Sequence, residues 1–129
     1  RMIGANVEFY LNSIFGRWGS DPSVFPPEVV SEYLRWFRDP ATIHATCEDY
    51  RAGASIDLEH DAADLQTKLK QPLLVLWGER GFVGKSYDPL QVWRERAVDV
   101  RGHALNCGHF LPEERPEETY AALRDFFRS

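Results

Sequence analysis

The sequence predicts an α/β protein in two parts, a helical stretch over residues 1–70 followed by a strand, helix, strand and helix over residues 71–129. Three observations predict it. Apolar residues recur at three- and four-residue steps through the first part, which is the periodicity of helices that bury one face. At Gln71-Pro72 the period gives way to a continuous apolar run of strand length, Leu73-Leu74-Val75-Leu76-Trp77. A second short strand near 98–105 and a helix starting near Pro116 complete the order.

Each element has its own local signal. Ile3, Val7, Tyr10, Leu11 and Ile14 mark a first helix over residues 2–15, with Gly16 ending it. Asp21-Pro22 and Pro26-Pro27 bound a loop. Proline then opens a second helix whose stripe is Val29, Val30, Tyr33, Leu34 and Phe37. Asp39-Pro40 stops it and caps a third, which carries Ile43, Cys47 and Tyr50 on one face and has Gly53 placed as its C-terminal cap. Ser55 stands at the N-cap of a fourth, with Leu58, Ala62, Leu65 and Leu69 in register.

The run Leu73 to Trp77 reads as a strand buried on both faces. A glycine-rich loop from Gly78 to Gly84 follows it. Asp88-Pro89 then opens a helix to about Ala97, and the next strand pairs with the first in parallel by default. The last helix is expected to bury Tyr120, Leu123 and Phe127. Two parallel strands leave an edge of unpaired backbone groups, so further strands are expected ahead of residue 1. Arg1 preceding Met2 agrees with that expectation.

At 129 residues the chain is one domain's worth at most. Twenty acids against fifteen bases give a net charge of −5, so a nucleic-acid partner, which requires a basic face, is not expected. The apolar runs span only a few residues, too short for a membrane helix. Cys47 and Cys107 have no framework spacing, and no signal pattern opens the chain, so a cytoplasmic protein is expected. Eight Phe, five Tyr and four Trp point to a dense core or an aromatic-lined pocket.

Two motifs offer chemistry that their spacing does not sustain. Gly78 to Ser86 looks like a phosphate loop, but five residues separate Gly78 from Gly84-Lys85-Ser86 where four are needed, and Lys85-Ser86 precedes a helix cap instead of opening a helix. His44, Cys47 and Glu48 share a helix face, yet one turn supplies too few metal ligands, and His60 has no closing partner. Neither a cofactor nor a metal is expected. The informative stretch is Leu105-Asn106-Cys107-Gly108-His109-Phe110-Leu111-Pro112-Glu113-Glu114. His109 sits on a short loop after a strand, behind a glycine, at the carboxyl end of the sheet where open α/β sheets build sites. A histidine alone is more often structural than catalytic. The order strand, helix, strand, histidine loop, terminal helix is how α/β-hydrolases end, and it favours catalysis.

Three stretches carry a more specific likeness: Cys47-Glu48-Asp49-Tyr50-Arg51-Ala52-Gly53 with Asp57, Glu59, His60 and Asp61 after it, Leu73 to Gly78, and Gly108 to Glu114. By these the chain, over its whole length, resembles the C-terminal part of a haloacetate dehalogenase, the fluoroacetate-cleaving branch of the α/β-hydrolase superfamily. The resemblance implies a C-terminal portion of an α/β-hydrolase fold, with a helical cap segment at 1–70 and a core segment at 71–129. It implies an aspartate on a nucleophile elbow that displaces halide from C2, and an ester hydrolysed by water that His109 activates. Tyr50 matches the cap tyrosine that donates to the leaving halide, whereas the helical pattern alone places Tyr50 in the core.

Neither Gly-x-Ser-x-Gly nor Gly-x-Asp-x-Gly occurs here, and position 81 is Gly81 where many α/β-hydrolases have the triad acid. Nucleophile, acid and carboxylate clamp are therefore expected in an N-terminal half of the same fold, without which residues 1–129 should be inactive. A homodimer stays open. An epoxide hydrolase shares the plan, with the tyrosine donating to an epoxide oxygen, and a non-catalytic binding module is the remaining reading.

Overall fold

A computed structural model describes residues 2–128, which divide into two compact units. The first comprises residues 2–14 and Phe25–Thr67 and is helical. Its elements are α1 (Met2–Ala5), the greater part of α2 (Val7–Trp18), α3 (Pro27–Phe37), α4 (Pro40–Gly53) and α5 (Ile56–Ala63). The expected first helix is thus two. Asn6 lies between them, and its Oδ1 accepts from Phe9 N at 3.0 Å, so the side chain caps α2 and interrupts the run. Gly16 does not end α2, which continues to Trp18. A glycine inside a helix costs only about 1 kcal/mol relative to alanine, and neighbouring contacts override that.

Asp39 caps α4 as expected, accepting from Ala41 N at 2.9 Å, with Pro40 in the first turn. Gly53 is the last helical residue and does not adopt a left-handed cap; among the described residues Gly102 alone has a positive φ. Ser55 stands before α5, but its hydroxyl donates back to Arg51 O at 2.7 Å, and α5 stops at Ala63, short of Leu65 and Leu69. Leu11 and Leu34 are the buried apolar residues of this unit, and Tyr10 and Phe37 meet with ring centroids 6.2 Å apart.

The second unit comprises Phe15–Val24 and residues 68–128. A 3-10 turn at Pro22–Val24 starts from Asp21, whose carboxylate accepts from the Ser23 hydroxyl and amide and is held below its usual range by those bonds. Then come β1 (Leu73–Gly78), α6 (Phe82–Ser86), α7 (Pro89–Arg94), β2 (Val100–Leu105), α8 (Leu111–Glu114) and α9 (Pro116–Arg128). The strands pair in parallel with Leu73 opposite Val100 and Gly78 opposite Leu105. Asp88 caps α7 by accepting from Gln91 N at 3.0 Å.

Residues 82–86, expected in a loop, form α6, so Gly84-Lys85-Ser86 lies inside a helix. The strand Leu73–Trp77 is only half-buried, and α9 leaves Tyr120, Leu123 and Phe127 exposed, burying Thr119 instead. An apolar stripe states that a face fits a cover; it does not supply one. No described helix is long and apolar enough to cross a membrane.

Candidate active site

β1 and β2 end side by side, and the chain leaving β2 runs directly into the loop that bears His109. Backbone bonds join the two ends: Glu79 N donates to Leu105 O and Arg80 N to Cys107 O, both at 3.0 Å. Arg80 Nη2 adds a bond to Asn106 O at 2.8 Å. So close an approach requires glycine. A Cβ on Gly78 would overlap the Gly108 carbonyl, and one on Gly108 would lie 2.6 Å from both Ser20 N and Trp18 O. Gly108→Ala is accordingly expected to destabilise the protein by about 1–3 kcal/mol through overpacking, read as a lower thermal midpoint. An unchanged midpoint would show that the loop has room to move.

His109 N donates to Trp18 O at 2.9 Å. Its ring meets the edges of Trp18, 5.1 Å between centroids at 73°, and Phe110, 5.2 Å at 86°. The side chain stays exposed between these aromatic walls, so the imidazole is oriented yet open to a reactant. Among the described residues no carboxylate pairs with its ring. The acid expected from elsewhere in the fold is therefore not replaced by a neighbour here.

Behind the loop lies Glu114, 4% exposed. Its Oε2 accepts from Gly108 N at 2.9 Å, from Ser20 N at 3.0 Å and from the Ser20 hydroxyl, while Oε1 accepts from Phe110 N at 3.2 Å. Burial alone would push this carboxyl up, but the bonds from Ser20, Gly108 and Phe110 outweigh burial and hold it below the usual range, as an anion. Cys107 beside it is fully buried, and burial pushes its thiol up, which makes it a packing residue and not a nucleophile.

A cleft of about 850 Å³ opens in front of His109, lined by residues 17–20, by Arg80, Gly81, Phe82, Val83 and Lys85, and by His109 itself. Three of these side chains, Arg17, Arg80 and Lys85, are cations, and none is a carboxylate. The field at its mouth favours an anionic reactant.

Tyr50, the other residue singled out by sequence, lies in the last turns of α4 in the helical unit and is 64% exposed, so it does not pack in that unit's interior. Tyr10 is raised by its own burial and then by the neighbouring Tyr50 and Cys47 groups. His44 Nδ1 stands 3.6 Å from the Glu48 carboxylate, which also pairs with Arg51, an exposed arrangement of ordinary helix-surface charges. Sequence reasoning missed Glu114 and Ser20. The only signal was an acid five residues beyond His109, and nothing separated it from the adjacent Glu113.

Known proteins share this fold. The chain is 38% identical over 127 residues to a fluoroacetate dehalogenase from Burkholderia sp, covering 98% of this chain and 42% of that protein. It is 34% identical over 129 residues to a soluble epoxide hydrolase from Corynebacterium sp. (strain C12), covering 98% of this chain and 43% of the relative. A crystal structure from Nostoc sp PCC 7120, of a protein itself provisionally described as an α/β-hydrolase, superposes with a TM-score of 0.93 at 59% identity, covering 98% of this chain and 43% of that one. No family model matches the chain. It thus spans about two fifths of the length of these two curated relatives, each of them a hydrolase. The resemblance to a fluoroacetate dehalogenase read from the sequence is met by these matches, and the chain has the fold of the C-terminal portion of an α/β-hydrolase.

Proposed function

We propose that the whole protein hydrolyses the carbon–halogen bond of a haloacetate. The observation that carries this reading is the 38% identity to a fluoroacetate dehalogenase along 98% of the chain. The cationic cleft supports it, because a haloacetate is an anion and an epoxide is neutral. In this reading a carboxylate from the rest of the fold attacks C2, and the carbon–halogen electron pair leaves as halide. An ester remains. His109 then takes a proton from water as the water attacks the ester carbonyl, releasing glycolate and restoring the carboxylate. Residues 1–70 act as the cap segment, with the exposed Tyr50 hydroxyl donating to the departing halide, and residues 71–129 supply the core and the base. No cofactor takes part.

The 34% identity to an epoxide hydrolase supports a second reading, in which the carboxylate opens an epoxide to a hydroxyalkyl ester, the ring oxygen taking a proton from the Tyr50 hydroxyl, and hydrolysis of that ester yields a diol. Both are tested by presenting the whole protein with fluoroacetate, chloroacetate and a terminal epoxide while measuring free halide and diol. Halide release is the expected result. Its kcat/KM should fall as salt screens Arg17, Arg80 and Lys85, since the Debye length shrinks from about 30 Å at 0.01 M to about 10 Å at 0.1 M. Diol without halide would overturn the dehalogenase reading.

A further inference from the structure

Two segments far apart in sequence, residues 18–20 and 108–110, meet at one buried side chain. Glu114 receives the amides on either side of His109, Gly108 N and Phe110 N, and the amide and hydroxyl of Ser20. The loop is tied to the same segment a second time, because His109 N donates to Trp18 O, two residues before Ser20. An acceptor-only group suits four converging donors, whereas an amide offers one oxygen and turns its own NH2 toward them. We propose that Glu114 is the positioning residue of His109, fixing the loop and the Trp18 wall so that the imidazole is held where it activates water. The proposal rests on the reading of His109 as the base of the ester-hydrolysing step.

A carboxylate that merely stabilised the fold would, when altered, reduce the number of active molecules or slow every step alike. A positioning group acts on the step that uses His109 and spares the other. The test therefore separates the two steps in the whole protein, with fluoroacetate or a terminal epoxide as the ester-forming probe. Rapid quenching and mass measurement follow the covalent ester. Glu114→Gln is expected to form the ester at the parental rate and in parental amount per folded molecule. It should hydrolyse it about tenfold to hundredfold more slowly, a part of the about 10²–10⁴ that a positioned base provides.

His109→Asn, measured alongside, keeps the two ideas apart. Parental ester hydrolysis by His109→Asn would remove the base assignment itself. Arrest in His109→Asn together with parental hydrolysis in Glu114→Gln would overturn the role of Glu114 alone, as would an equal slowing of both steps. Should Glu114→Gln fail to fold, Glu114→Asp decides, because it keeps the charge but is one methylene too short to reach all four donors. About tenfold slower ester hydrolysis with unchanged ester formation is expected, and parental hydrolysis would overturn the proposal.

Discussion

His109→Asn in the whole protein is expected to release about one equivalent of halide per active site and then stop. In the proposed mechanism attack on C2 requires a carboxylate and donors for the halide, neither of which is His109, so the first step should survive the substitution. The second step should lose most of the about 10²–10⁴ that a positioned general base contributes. The ester then accumulates, and the protein gains the mass of one carboxymethyl group. Asn is the variant of choice because it approximates the imidazole's size while the backbone bond from residue 109 to Trp18 O needs no side chain. A histidine that only packed against Trp18 and Phe110 would behave otherwise: its Asn variant would lose stability and turn over steadily. Continuous turnover at the parental rate would return His109 to a structural role.

What the sequence disclosed divides along a physical line. Signals completed within a few residues were legible: Asp39 and Asp88 cap their helices, and the apolar run at Leu73–Gly78 is a strand paired in parallel with Val100–Leu105. The position of His109 after that second strand followed from the same local order. Signals that depend on what lies across from a residue were not legible. Tyr120, Leu123 and Phe127 have the spacing of a buried stripe yet are exposed among the described residues, because periodicity specifies a face and says nothing of its cover. Residue type alone makes Gly16 a helix end and Gly53 a helix cap, but α2 runs on to Trp18, and a left-handed cap is a backbone conformation that Gly53 does not adopt. Glu114 was invisible for a related reason. Its importance lies in four donors, two of them 94 residues away in sequence at Ser20, and no short window contains that.

Tyr50→Phe should reduce defluorination by two to three orders of magnitude in the whole protein while leaving the thermal midpoint nearly unchanged. The two parts of the expectation come from different observations. Tyr50 is 64% exposed at the end of α4, so removing its hydroxyl empties no packed site in the helical unit and costs less than the about 1 kcal/mol of a typical buried hydrogen bond. A phenol aimed at a departing halide, by contrast, is a donor at a point where negative charge develops, and loss of one such donor typically slows catalysis by about 10²–10³. The effect should also depend on the halide. Fluoride is the poorest leaving group and the strongest hydrogen-bond acceptor of the series, so the donor contributes most to its departure; bromide, weakly bound and a good leaving group, needs it least. The measurement is kcat for fluoro-, chloro- and bromoacetate with parent and variant, together with the thermal midpoint of each. A loss that falls steeply from fluoride to bromide fits halide donation. An equal loss on all three, or a large drop in midpoint with activity preserved per folded molecule, would assign Tyr50 to packing in the complete fold.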